Sequence, residues 1–243
     1  MTTPGPLNPE TLFSVKGLVA LITGGGTGKS RPIIPNHEEK KNTPPLRQNQ
    51  KKGIGLMMAR ALAHAGAARV YIVGRRVDVL QAAAASIARP SVVVPLYCDV
   101  TSKVSLESIV AVVETDVGHL DLLVCNAGVG GPQVRPPVPG VTGLEEWRAA
   151  QLAVRVEEFN GVFAVNGTSV WYTAMAFLGL LDKGNKTGRG SGDGGVSSQV
   201  VVTSSIAGFN KSAPGGWAYG PSKAAATHIA KMLSVVLPTW GIR

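Results

Sequence analysis

Apolar and polar positions alternate along the chain in two registers. Five short, nearly continuous apolar runs have strand length: Leu18 to Thr23, Arg69 to Val73, Ser91 to Tyr97, Leu120 to Asn126 and Gln199 to Ser204. Runs of this kind predict strands covered on both faces, as in a parallel sheet, because a strand with one wet face would alternate polar and apolar residues. Between them lie helix candidates: Ile54 to Ala65, Val77 to Ala88, Leu106 to Val117, a long stretch from Leu144 to Leu181 expected to break once, and Ala218 to Leu237. Thr142 and Glu145 offer a capping box ahead of the long one. Strand and helix in turn predict right-handed crossovers and a doubly wound parallel sheet between two helical layers, a three-layer α/β/α arrangement with ligands at the carboxyl ends of the strands.

Two segments break the rhythm. Lys183 to Ser198 is rich in Gly and Ser and reads as an exposed flexible loop before the fifth strand. Gly28 to Lys52 holds four prolines and almost no apolar periodicity, and it stands directly after the first strand, where a tight turn should feed a helix. Apart from these, 243 residues read as a single domain. The formal charge of +9, from 24 Lys+Arg and 15 Asp+Glu, suggests a polyanionic partner. Seven basic residues and two acids fall within Gly28 to Lys52, so +5 of the +9 belongs to that segment. Aromatic residues are only 5% of the chain and none are interleaved with basic ones, which argues against nucleic acid. Cys98 and Cys125 lie in strand-like runs, as buried thiols of a reducing compartment would. The amino-terminal residues lack a basic start and an apolar run, and the apolar stretch around Val170 to Leu181 is too short to cross a bilayer, so a cytoplasmic protein without membrane contact is expected. The histidines share no ligand spacing, and no metal site is expected.

Thr23 to Gly28, TGGGTG, follows the first strand, and glycines there let backbone amides approach a phosphate. With Lys29 and Ser30 the string comes within one residue of a P-loop, which would make the chain a phosphotransferase. Pro32 and Pro35 oppose that reading, since the P-loop lysine opens a helix and prolines do not sit in a helix interior. Omitting Gly28 to Lys52 instead joins TGGGT to Gly53-Ile54-Gly55 and gives TGGGTGIGLMMARALAHAG, a strand end, glycine turn and amphipathic helix without a gap. Gly-Lys-Ser can be encoded with a splice-donor sequence and Lys-Lys-Gly with an acceptor. The 25 residues are therefore read as an insertion of translated-intron type.

The restored string resembles the glycine fingerprint of the short-chain dehydrogenase/reductase family, in particular fungal NADP-dependent 3-oxoacyl-reductase-like members, and the resemblance extends over Val15 to Arg243. It implies a Rossmann fold and a nucleotide held by Thr23, Gly24, Thr27, Gly28, Gly53, Ile54 and Gly55. Tyr219 and Lys223, in YGPSK, share one helix face, and an adjacent ammonium favours the tyrosinate form, making Tyr219 a usable general acid and base. Ser205 ends the fifth strand fourteen positions earlier, with Ser204 as the runner-up for its role. By resemblance Ser205 orients the substrate oxygen, Tyr219 transfers the proton, Lys223 also holds the nicotinamide ribose, and Asn166 supports a water chain to the lysine. Asn126, Ala127 and Gly128 resemble the motif that lines the cofactor cleft, and Asp99 with Val100 the adenine site.

An acidic residue at the end of the second strand would select NAD(H) by bonding the free ribose hydroxyl. The chain has Gly74, Arg75 and Arg76 there, and two guanidinium groups suit a 2′-phosphate, so NADP(H) is expected. The implied activity is hydride transfer between this cofactor and a small-molecule ketone or secondary alcohol, with homo-oligomers expected for a full-length relative. Family members continue past the position of Arg243 with further strands and a substrate-covering segment, so the resemblance also implies a missing carboxyl-terminal part. A catalytically inactive nucleotide-binding or partner-binding relative is the alternative.

Overall fold

The computed structural model describes residues 14–26, 53–187, 197–213 and 215–243. Five parallel strands, β1 (Val19–Thr23), β2 (Arg69–Gly74), β3 (Val93–Tyr97), β4 (Leu122–Cys125) and β5 (Gln199–Val202), form one sheet in the order β3-β2-β1-β4-β5. The order reverses direction at β1, so the crossovers lie on both faces. Successive residues of β1 and β2 point to opposite sides. Val19, Leu21, Tyr71 and Val73 enter the core beneath helices α3 (Lys103–Asp116), α6 (Ser169–Lys186) and α7 (Tyr219–Val236). Ile22, Val70 and Ile72 enter the other, beneath α1 (Ile54–His64) and α2 (Val77–Ala85). Both faces are dry, which is why these strands carry no polar alternation.

The remaining helices are α4 (Leu144–Leu152) and α5 (Val156–Phe163), and α5 runs through a π-helical turn, Ala164–Thr168, into α6. The long helical stretch therefore breaks fully once, after α4, as its sequence predicts, and then acquires a wider turn that periodicity alone does not announce. The expected capping box is not formed. Gly143 occupies the N-cap of α4, and the Thr142 hydroxyl instead accepts from the Val138 N–H at 2.9 Å. The loop expected from Lys183 to Ser198 begins inside a helix, because α6 continues to Lys186, and residues 188–196 lie outside the described residues. There Gly184 packs so closely on the Leu120 carbonyl that a Cβ would stand 2.2 Å from it. Helix α3 starts earlier than expected, since the Ser102 hydroxyl caps it by accepting from the Ser105 N–H. After α7 the chain turns at Gly241, and Arg243 exchanges backbone hydrogen bonds with Ser198 and Val200 along β5. Among the described residues no helix is long and apolar enough to cross a membrane.

Candidate active site

The carboxyl ends of the strands open into a cleft of about 990 Å³. Gly24, the first residue after β1, has φ +68°, a conformation that favours glycine, and a Cβ there would lie 2.9 Å from the Ala127 Cα. Gly55, in the first turn of α1, lies against the same spot: a Cβ on it would stand 2.5 Å from the Gly24 carbonyl oxygen and 2.7 Å from the Asn126 amide nitrogen. The glycine turn and the start of α1 thus meet in space although residues 27–53 lie between Gly26 and Ile54 in the chain. The first N–H groups of α1 have no partner within the helix and its first turn holds no acidic residue, so the helix presents donors and positive dipole potential at the cleft. Thr27 and Gly28, and with them the rest of Gly28 to Lys52, lie outside the described residues.

Asn126 ties the turn to β4. Its amide nitrogen donates to the Thr23 and Gly24 carbonyls at 2.9 and 3.3 Å, while the backbone N–H groups of Asn126 and Ala127 both donate to the Thr23 hydroxyl at 2.9 Å. Thr23 is buried behind the cleft, and it acts on the wall through these bonds. Gly24, Gly53, Ile54, Arg75, Arg76, Asp99, Val100, Asn126, Ala127 and Gly128 all line the cleft. The Asp99 carboxylate uses one oxygen to accept from the N–H and hydroxyl of Thr101.

At the far end Ser204, Ser205, Tyr219 and Lys223 converge on the same cleft. Lys223 is buried, and its Nζ donates to the Thr203 carbonyl at 2.7 Å. Burial lowers the pKa of its ammonium from the ordinary lysine value. The two serines differ in engagement. The Ser204 hydroxyl lies 2.5 Å from that of Thr227 and 3.4 Å from the Lys223 carbonyl, whereas among the described residues the Ser205 hydroxyl accepts only from the Ala207 N–H, at 3.2 Å, as cap of a short 3-10 turn.

Asn166 does not line the cleft but stands behind it, fully buried in the π-helical turn. Its Oδ1 accepts from the Val129 N–H at 2.8 Å, and its amide donates to the Val129 carbonyl and the Ser222 hydroxyl, both at 2.9 Å. A Cβ on Gly128 would come within 3.3 Å of Asn166 Oδ1 and 3.4 Å of Lys223 Nζ, so Gly128 is the seam between them. Two contributors escape a sequence reading. Thr203 supplies a backbone carbonyl, which no side-chain pattern advertises. Gly215 has φ +87° and lies against the Tyr219 ring, where a Cβ would be 2.9 Å from Cδ1. The paired glycines just before Tyr219 are the signal that points to it.

A profile of the short chain dehydrogenase family matches residues 50–243. The chain belongs to the short-chain dehydrogenase/reductase family. The matched span begins at residue 50, within the last three residues of the interruption, and takes in Gly53, Arg75, Asn126, Ser205, Tyr219 and Lys223. Among similar proteins, the short-chain dehydrogenase/reductase PhomF of Diaporthe leptostromiformis is 38% identical over 232 residues, which are 96% of this chain and 69% of PhomF. SAT3 of Stachybotrys chartarum is 40% identical over 196 residues, covering 76% of this chain and 71% of its own. In structure the chain is similar to Pseudomonas aeruginosa RhlG in an NADP active-site complex, with a TM-score of 0.70 over 96% of this chain and 72% of that one at 24% identity, a likeness of fold. As a member of an oxidoreductase family that uses NAD(P), the protein is assigned a nucleotide cofactor and a small-molecule substrate, and this family replaces the P-loop reading of Thr23 to Ser30.

Proposed function

We propose that the protein is an NADP(H)-dependent oxidoreductase that reduces a ketone, or oxidises the matching secondary alcohol, at a site made by Ser205, Tyr219 and Lys223. The substrate class favoured by the resemblance is a 3-oxoacyl thioester or a ketone of fungal secondary metabolism. The observation that carries the reading is the meeting of this triad and the glycine turn in one cleft, with Lys223 buried between them. The cleft fits a dinucleotide. Its volume suits a large ligand, glycines let the backbone form one wall, and the first amides of α1 stand ready for a pyrophosphate. Gly24, Gly53, Ile54, Asn126, Ala127 and Gly128 would hold the cofactor's phosphates and nicotinamide side, Asp99 and Val100 its adenine, and Lys223 its ribose.

When bound, the cofactor supplies or accepts hydride at the substrate carbon. The chain's own residues handle orientation and the proton. The Ser205 hydroxyl, less engaged than that of Ser204, donates to the carbonyl oxygen and orients it. The Tyr219 hydroxyl gives its proton to that oxygen as charge develops there. Lys223, anchored by the Thr203 carbonyl, places a positive charge beside the tyrosine and favours the tyrosinate left behind. Asn166 acts one layer back, fixing Val129 and Ser222 around the lysine. Gly28 to Lys52 is, on this account, an insertion foreign to the site, a reading supported by the contact of Gly24 with Gly55 across it.

Arg75 and Arg76 line the cleft at the end of β2, where no carboxylate stands. Charge-assisted bonds from them to a 2′-phosphate predict tighter binding of NADPH than of NADH, by about tenfold or more at roughly 1.5 kcal/mol per such bond. Titration of each nucleotide by its own fluorescence checks this. The doubly substituted Arg75→Ala, Arg76→Ala protein is expected to lose the preference, and equal affinities in the unaltered protein would contradict the assignment.

A further inference from the structure

Beside the cleft lies a second cavity of about 230 Å³, lined by Pro132, Val134, Gln151, Val154, Phe159 and Trp217 among others. Both of its walls continue the lining of the cleft. Trp217 immediately precedes Ala218 and Tyr219, and Pro132 follows Gly130 and Gly131. The two segments are clamped together, since the Gly131 N–H donates to the Gly215 carbonyl at 2.7 Å and the Trp217 indole donates to the Val134 carbonyl at 3.1 Å.

Helix α4 supplies another side. It buries none of its residues, and Leu144 and Leu152 at its ends are exposed. Its attachment runs through Trp147, whose indole donates to the Arg135 carbonyl at 3.1 Å and whose ring meets that of Trp217 edge-on, with centroids 6.0 Å apart. An element with so little buried surface opens at low cost. The last residue but one of this helix, Gln151, carries the one buried side-chain polar atom among the described residues that lacks a hydrogen-bond partner, its Nε2. A buried donor left unpaired is costly, and such groups are found where something else completes them. An apolar cavity of about 150 Å³ is large enough to take up benzene.

We propose that this cavity receives the apolar arm of the ketone substrate, a single aromatic ring or short branched alkyl group bearing one hydrogen-bond acceptor for Gln151, with α4 as its movable cover. The inference deepens the proposed function and rests on it, so its test is one of binding and does not depend on turnover.

Of the chain's four tryptophans, Trp217 lines the cavity and Trp147 packs edge-on against it, which makes intrinsic fluorescence a local probe. Titration with 4-(4-methoxyphenyl)butan-2-one is expected to give a saturable change in the unaltered protein and equally in Tyr219→Phe. Val154→Phe and Val134→Phe, which fill the cavity from two separate segments, are each expected to abolish it. Gln151→Leu is expected to weaken the methoxy ketone about five- to tenfold while leaving 4-phenylbutan-2-one unchanged, and, by removing an unsatisfied amide, to raise the thermal midpoint without ligand. A saturable change that survives both filling variants, no saturable change in the unaltered protein, or a lower midpoint for Gln151→Leu would each overturn the assignment. Saturable binding lost in the filling variants, in a protein that turns over no ketone, supports the cavity and contradicts the proposed function.

Discussion

Tyr219→Phe is expected to lower the rate of NADPH-dependent ketone reduction by about 10²- to 10⁴-fold, the usual worth of a positioned general acid, with nucleotide affinity essentially unchanged. The phenol is the one group at the triad able to deliver a proton and then rest as an anion beside an ammonium. Removing its oxygen leaves the cleft, the glycine turn and Lys223 in place, so the loss falls on kcat. Lys223→Met should cost a comparable factor, but it should also weaken nucleotide binding if Lys223 holds the ribose. Its effect on stability has the opposite sign. Burial lowers the Lys223 pKa in the folded protein, so the unfolded chain keeps its proton to higher pH. Below the folded value the buried ammonium destabilises the fold in full, and the penalty is relieved as pH rises toward the ordinary lysine value. Thermal midpoints should therefore favour Lys223→Met most at neutral and acidic pH, with the difference shrinking in alkali. A variant that is less active yet no less stable marks a residue kept for chemistry at the expense of the fold.

Asn166→Ala is expected to be the most damaging change outside the triad. Three hydrogen bonds end on this one amide, and two of them satisfy the buried backbone of Val129. Stranding those groups costs roughly 1–3 kcal/mol each, so a loss of about 2–6 kcal/mol is expected by chemical denaturation. The third bond reaches Ser222, whose hydroxyl donates to the Tyr219 carbonyl at 2.7 Å, so the first turn of α7 loosens with it. Asn166→Asp separates position from charge. It can still accept from the Val129 N–H but cannot donate to the Val129 carbonyl, and it sets a carboxylate near Lys223, since Asn166 Oδ1 and Lys223 Nζ lie 3.3 and 3.4 Å from the point a Cβ on Gly128 would occupy. A purely structural asparagine would show matching losses of stability and rate in both variants. A positioning role predicts a shifted pH–rate profile for Asn166→Asp beyond what its stability loss explains.

The sheet and its helices were readable because their cause is local. Val19 to Thr23 and Arg69 to Gly74 are covered on both sides, and continuous apolar runs are what such burial demands. The convergence of Ser205, Tyr219 and Lys223 on one cleft was readable for a similar reason, since Tyr219 and Lys223 lie one helical turn apart and Ser205 follows the end of a strand. What escaped depends on distant backbone. The Thr203 carbonyl under Lys223, the Val129 groups on Asn166 and the packing of Gly184 on Leu120 involve main-chain atoms that every residue possesses. Thr142 was misread because a hydroxyl three residues before a glutamate also suits the tight turn that begins at Val138, and the turn prevails. The contact between Gly24 and Gly55 shows why removing the intervening stretch on paper restored a coherent motif: the two halves lie together in the fold.

The central claim is that this cleft moves hydride between a nicotinamide and a carbonyl carbon while Tyr219 supplies the proton. Its most direct test is the reduction of a ketone with NADPH deuterated at C4 of the nicotinamide, followed by mass and NMR analysis of the alcohol. Deuterium on the carbinol carbon, formed by the unaltered protein and not by Tyr219→Phe, is the predicted result. Alcohol without deuterium from either face of the nicotinamide, or labelled alcohol formed equally fast by both proteins, would contradict it.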